Sequence, residues 1–151
     1  MNSLVGKFIS AWVSPNQSME AVKTEGEQAS IKPAILFVLI MAILAGIITA
    51  VVGLVSPPQV VNGQVVPKYM LGLAVLIIPL ASLIGSFLAS GLIWIIVGGL
   101  LKGTSGQYKT IYRMLAVLAA FSPVTTALSA IPKVGVYLSA AVNIWALLVL
   151  I

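Results

Sequence analysis

The chain has 151 residues, of which 60% are hydrophobic and only 7% charged, with a formal net charge of +5. A soluble domain carries about 25% charged residues, so the bilayer must be the solvent for much of this chain. There is no His, no Cys and no Asp, and no acidic residue follows Glu27, which excludes disulfides, thiolate or imidazole metal sites and most acid–base chemistry.

From the N-terminus, residues 3–13 are apolar with one Lys and one Trp, too short to span. They predict an amphipathic helix at the headgroup level with Trp12 as its interfacial anchor. Ser14-Pro15 reads as an N-cap followed by Pro at the first helical position, opening a second short helix to about Lys23. Residues 1–32 thus form a cytoplasmic or interfacial segment, and 33–151 a transmembrane bundle.

The first span is predicted at 33–55, with Lys32 at its cytoplasmic edge. Ala42, Gly46 and Ala50 recur every fourth residue, a small-residue row that lets another helix approach closely. Pro57-Pro58 ends that helix, and residues 59–66 read as a small hairpin turning at Asn62-Gly63.

Residues 70–101 are apolar throughout and fit either one long helix kinked at Pro79 or two short ones. Charge favours one crossing. It puts Lys102, Lys109 and Arg113 on the side of Lys7, Lys23 and Lys32, leaving Lys68 and Lys133 opposite, as the positive-inside rule requires. Ser82, Ser86 and Ser90 make one small-residue row on this helix, and Ala81, Gly85 and Ala89 the row beside it. A third span is predicted at 110–131, kinked at Ser122-Pro123, with Thr125 and Thr126 bonding carbonyls freed by the proline. A fourth, at 134–151, is near the lower length limit for crossing. The expected fold class is an all-α polytopic membrane protein: a bundle of four transmembrane helices with an N-terminal interfacial amphipathic helix.

Few residues offer chemistry. Glu20, Glu25 and Glu27 look like a solvated charge run, and the span interiors offer no ionisable relay for proton coupling. The loop Gly103-Thr-Ser-Gly106-Gln-Tyr-Lys109-Thr110 lacks P-loop spacing and follows a membrane helix. Its Lys102 and Lys109, with Arg113, are candidate contacts for lipid headgroups or a partner. Asn143 is the most polar side chain in any span and is a candidate for inter-helix bonding. No catalytic, metal or cofactor residue is assigned, and no enzyme is expected. The dispersed basic residues do not form a nucleic-acid footprint; membrane lipids are the expected partners, with self-association or other membrane proteins beside them.

The stretch Gly91-Leu-Ile-Trp94 through Gly98-Gly99, Lys102-Gly103-Thr-Ser-Gly106, Tyr108 and Tyr112-Arg113 is followed by Phe121-Ser-Pro123, Ile131-Pro132-Lys-Val-Gly135 and Asn143-Ile-Trp145. In order, these motifs resemble the prokaryotic branch of the Yip-domain family, the Ypt/Rab-interacting membrane proteins, from about residue 12 onward. The resemblance implies a multi-span protein with a cytoplasmic N-terminus in a prokaryotic cell membrane. Eukaryotic members act in vesicle traffic and bind small GTPases. Here the Asp-Leu-Tyr-Gly-Pro motif of those members is absent, so GTPase binding does not carry over, and the family's usual fifth span is not found. The expected function is a membrane scaffold or adaptor for membrane organisation or trafficking, with no chemistry of its own. The alternative is a small transporter or channel subunit, using Pro79 and Pro123 as hinges and a polar path through Ser82, Ser86, Thr125 and Asn143.

Overall fold

The computed structural model describes residues 4–25, 29–56, 60–61, 64–65, 67, 72–97, 108–131 and 133–148. Its helices are α1 (Leu4–Val13), α2 (Pro15–Thr24), α3 (Lys32–Val55), α4 (Ala74–Ile95), α5 (Tyr108–Leu118), α6 (Ser122–Ser129) and α7 (Gly135–Leu148); Ala119–Phe121 form a tighter 3₁₀ turn joining α5 to α6. The paired segments β1 (Val60–Val61) and β2 (Gln64–Val65) are antiparallel, with Val60 opposite Val65 and Val61 opposite Gln64. That register is the one a two-residue Asn-Gly connection demands.

Three helical segments are long and apolar enough to cross a membrane: Lys32–Val55, Ala74–Ile95 and Tyr108–Ser129. Three of the four expected spans are thus matched among the described residues, and the fourth is not shown. α7 has 14 residues, which at about 1.5 Å per residue reaches only about 21 Å of a hydrocarbon core about 30 Å thick; residues 149–151 lie outside the described residues. The long apolar stretch after the hairpin contains one continuous 22-residue helix, α4, with Pro79 inside it. Its ends at 68–71 and 98–101 lie outside the described residues.

Packing is centred on α3. It lies most extensively against α4 and next against α6. Ala42, Gly46 and Ala50 are buried. A side chain at Gly46 would stand 3.0 Å from the Ala74 carbonyl oxygen and 3.1 Å from the Val75 Cα, so glycine is what permits this backbone-to-backbone approach. Ser86 and Phe87 of α4 meet Tyr112 at the start of α5. α4 thus returns the chain to the end of the bundle where α3 begins, and α5 starts beside it.

The third spanning segment is interrupted rather than smoothly bent. Pro123 has no N–H to give to the Ala119 carbonyl; that carbonyl instead accepts from the Ser122 N–H, in a 3₁₀ pattern. The threonine expectation changes accordingly. Thr125 Oγ1 is shared between the Phe121 and Ser122 carbonyls (3.1 and 3.0 Å), and Thr126 Oγ1 donates to the Ser122 carbonyl (2.8 Å). Both bond back onto their own turn.

Trp12, expected as an interfacial anchor, packs against the chain itself. Its indole Nε1 donates to the Ala120 carbonyl (3.3 Å), and its ring lies 4.5 Å from that of Phe121. At about 1.5 Å per residue, Ala120 is about 18 Å along the helix from Tyr108. α1 is therefore docked against the middle of the third spanning segment, and Ala11 joins Phe37, Met41 and Ala120 in one buried cluster. The 3₁₀ turn is what presents a carbonyl to the indole there: outside the α-helical ladder, it has capacity for an additional donor.

Candidate functional site

The most chemically distinctive place in the molecule is the end where α3 and α5 begin. Arg113 sits in the second turn of α5, one residue beyond the fully buried Tyr112. Its side chain is only 7% exposed and forms an ion pair with Glu25, just past the end of α2, whose side chain is 62% exposed. Glu25 is held there by its backbone N–H, which donates to the Ala21 carbonyl (3.0 Å). Glu25 is exposed, as expected of a solvated charge run; its pairing with Arg113 is what the sequence did not show. Burying the Arg113 guanidinium is tolerable because a carboxylate compensates it.

Around this pair lies a cavity of about 330 Å³, walled by α1 and α2, the first turns of α3, and α5. Ser10, Ser18 and Ser30 contribute hydroxyls, while Val22, Phe37 and Val117 are among its apolar lining. Ser18 Oγ donates to Ser10 Oγ (3.2 Å), linking the two N-terminal helices. Ser30 Oγ accepts from the Lys32 N–H (3.2 Å), which turns the chain into α3.

A second polar cluster ties α4 to α5. Ser86 Oγ donates to the Leu83 carbonyl (2.8 Å) and lies 3.2 Å from the Tyr112 hydroxyl. Ser90 is completely buried and donates to the Ser86 carbonyl (2.7 Å). The Tyr112 ring stacks on Phe87 at 4.7 Å, and the Tyr108 hydroxyl donates to the Phe87 carbonyl (3.2 Å). These bonds hold α5 in register and so aim Arg113 inward.

The other residues singled out from sequence are scattered. Lys102 lies outside the described residues. Lys109 is exposed, so of the two described basic candidates it is Arg113 that enters the cavity. Ser82 is half-buried, whereas Gly85 and Ala89 are exposed; a side chain added at Gly85 would meet nothing within 4 Å. Asn143 is also exposed and makes no inter-helix hydrogen bond among the described residues. Trp94 and Trp145 are about half exposed. Among the described residues, no group of His, Cys, Asp or Glu could hold a metal ion.

No family model, curated protein or solved structure matches this chain. The functional reading therefore stands on the residues themselves. Glu25 and the cavity hydroxyls were missed from sequence because nothing local marks them. The one available signal was Arg113: a lone arginine in a helical run whose neighbours Tyr112 and Ala116 belong to a buried face.

Proposed function

We propose that this protein is an integral membrane scaffold or adaptor of the Yip-like type, serving membrane organisation or trafficking, with no chemistry of its own and its N-terminus on the cytoplasmic side of a prokaryotic membrane. The observation that carries the reading is the state of α4. The most apolar window of α3 is 39% buried, that of α4 only 11%. The row Ala81, Gly85 and Ala89 is exposed among the described residues, while the comparable row on α3 is buried, with Gly46 against the α4 backbone. Small residues add little affinity for lipid, but they let a second helix approach closely, where van der Waals packing drives association. An adaptor works by offering such a face to another membrane protein or to a second copy of itself. The polar path that a transporter or channel subunit would need does not support that alternative: the described cavity is lined by none of Ser82, Ser86, Thr125 or Asn143.

The test is cross-linking in native membranes followed by mass spectrometry, with Gly85→Leu as the comparison. The reading expects cross-links from α4 that Gly85→Leu abolishes. Absence of both protein partners and self-association would overturn it.

A further inference from the structure

The Arg113 cavity has a division of labour that packing alone does not require. Its cation is nine-tenths buried and its anion is mostly in water. The buried guanidinium needs a counter-charge wherever Glu25 goes, whereas the exposed Glu25 carboxylate can turn out to solvent provided that another anion takes its place beside Arg113. The site is thus built to keep its cation fixed and to exchange its anion. Its volume, about 330 Å³, lies within the range of small-molecule pockets.

The remaining lining says what the incoming anion carries. Hydroxyls of Ser10, Ser18 and Ser30 line the same cavity as the guanidinium, and hydroxyls beside an arginine suit the several acceptor oxygens of a phosphate group. Pro33, in the first turn of the 24-residue α3, also lines the cavity, so the positive end of a long helix faces the same space. Phe37 and Val117 also line the cavity, giving a carbon stem an apolar surface. We propose that the cavity binds a phosphate ester. Its phosphate takes Arg113 in place of Glu25, and its stem lies along Phe37 and Val117. A lipid headgroup and a soluble phosphate ester share this chemistry. The proposal is independent of what α4 contacts.

The experiment uses the full chain in a phosphate-free maltoside detergent at constant ionic strength. Thermal unfolding is followed against glycerol 3-phosphate, short-chain phosphatidylglycerol and a potassium chloride control. Wild-type protein is expected to be protected by phosphatidylglycerol alone if the natural source is lipid, and by both esters if a soluble ester suffices; chloride protects in neither case. Glu25→Gln, which removes the competing charge, lowers the half-protecting concentration about tenfold, the equivalent of one charge-assisted hydrogen bond. Ser18→Ala raises it, and Arg113→Gln abolishes protection. Because Glu25→Gln strengthens binding, its readout does not depend on a variant failing to fold. The proposal is overturned if neither ester protects the wild type, if chloride protects equally, or if Glu25→Gln leaves the half-protecting concentration unchanged or raises it.

Discussion

Gly135→Ala tests the turn that seats α7. An ideal Cβ at Gly135 would stand 2.2 Å from the Leu128 carbonyl oxygen and 3.0 Å from the Ser129 carbonyl carbon and oxygen. Ordinary carbon contacts lie at about 3.5 Å, so the overlap with Leu128 is on the order of 1 Å. Every obstructing atom is backbone, and no side-chain rotamer can relieve it. Either α7 withdraws from α6, or the last turn of α6 unwinds with loss of the bonds from Ile131 N–H to the Leu128 carbonyl (3.0 Å) and from Gly135 N–H to the Ile131 carbonyl (2.9 Å). Overpacking of this kind costs about 1–3 kcal/mol, and replacing a helical glycine by alanine returns at most about 1 kcal/mol. The expected net loss is about 2 kcal/mol. By the scaling of soluble domains of this size, that is a fall in Tm of about 4–8 °C. Tryptophan fluorescence during heating in detergent is the assay, since Trp145 lies on α7. Gly91→Ala is the matched control: it sits inside α4 with nothing within 4 Å of an added Cβ, and should leave Tm unchanged or raise it. If Gly135→Ala melts at or above the wild-type temperature, the tight α6–α7 turn described above is refuted.

Lys133 holds a left-handed backbone, with φ 66°, so Lys133→Gly should stabilise by about 0.5–1 kcal/mol, visible as a rise in Tm. Trp12→Ala removes an indole hydrogen bond and an aromatic contact; a loss of about 2–3 kcal/mol is expected, with the α1–α2 segment becoming sensitive to limited proteolysis at lower temperature than the spans. Gly46→Leu must push the Ala74–Val75 backbone away and should cost about 3 kcal/mol or block folding, whereas Gly46→Ala is expected to be milder. Tyr112→Phe deletes the hydroxyl beside Ser86 at about 1 kcal/mol, measured by the same melting assay; an unchanged Tm would mean that this polar link does not hold α5 in place.

How much of this was legible beforehand depended on the range of the interaction. The ends of α3 were readable because they are local events: Lys32-Pro33 opens the helix, and it stops at Ser56, just before the expected terminators Pro57-Pro58, which lie outside the described residues. The hairpin was readable because Asn-Gly between β-branched residues restricts the backbone on the spot. The short α2 followed from Ser14-Pro15, although Ser14 makes no side-chain capping bond. Thr125 and Thr126 were recognised as back-bonding residues, but the carbonyls they choose depended on the 3₁₀ turn, which relocated the freed acceptor. The candidate site was barely legible. Arg113 was singled out for a headgroup role at the surface, and Glu25 was set aside with its neighbours, because at a separation of 88 positions no periodic signal links the two.

Composition and hydropathy by themselves determined that the chain is helical and apolar enough for a membrane, and roughly where its three long apolar helices run, within a reading that also counted a fourth. Those properties are sums over neighbouring residues and survive whatever the helices do next. Tertiary structure alone decided which of two equally small-looking rows is covered, with Gly46 under α4 and Gly85 open. It also decided that Trp12 turns inward onto Ala120 and that Glu25 closes over Arg113. Each of these depends on which faces meet. Inside a bilayer, apolar sequence cannot select its own partner face, because lipid tails and leucines offer one another nearly the same contact; close backbone approach and the few polar groups make the choice.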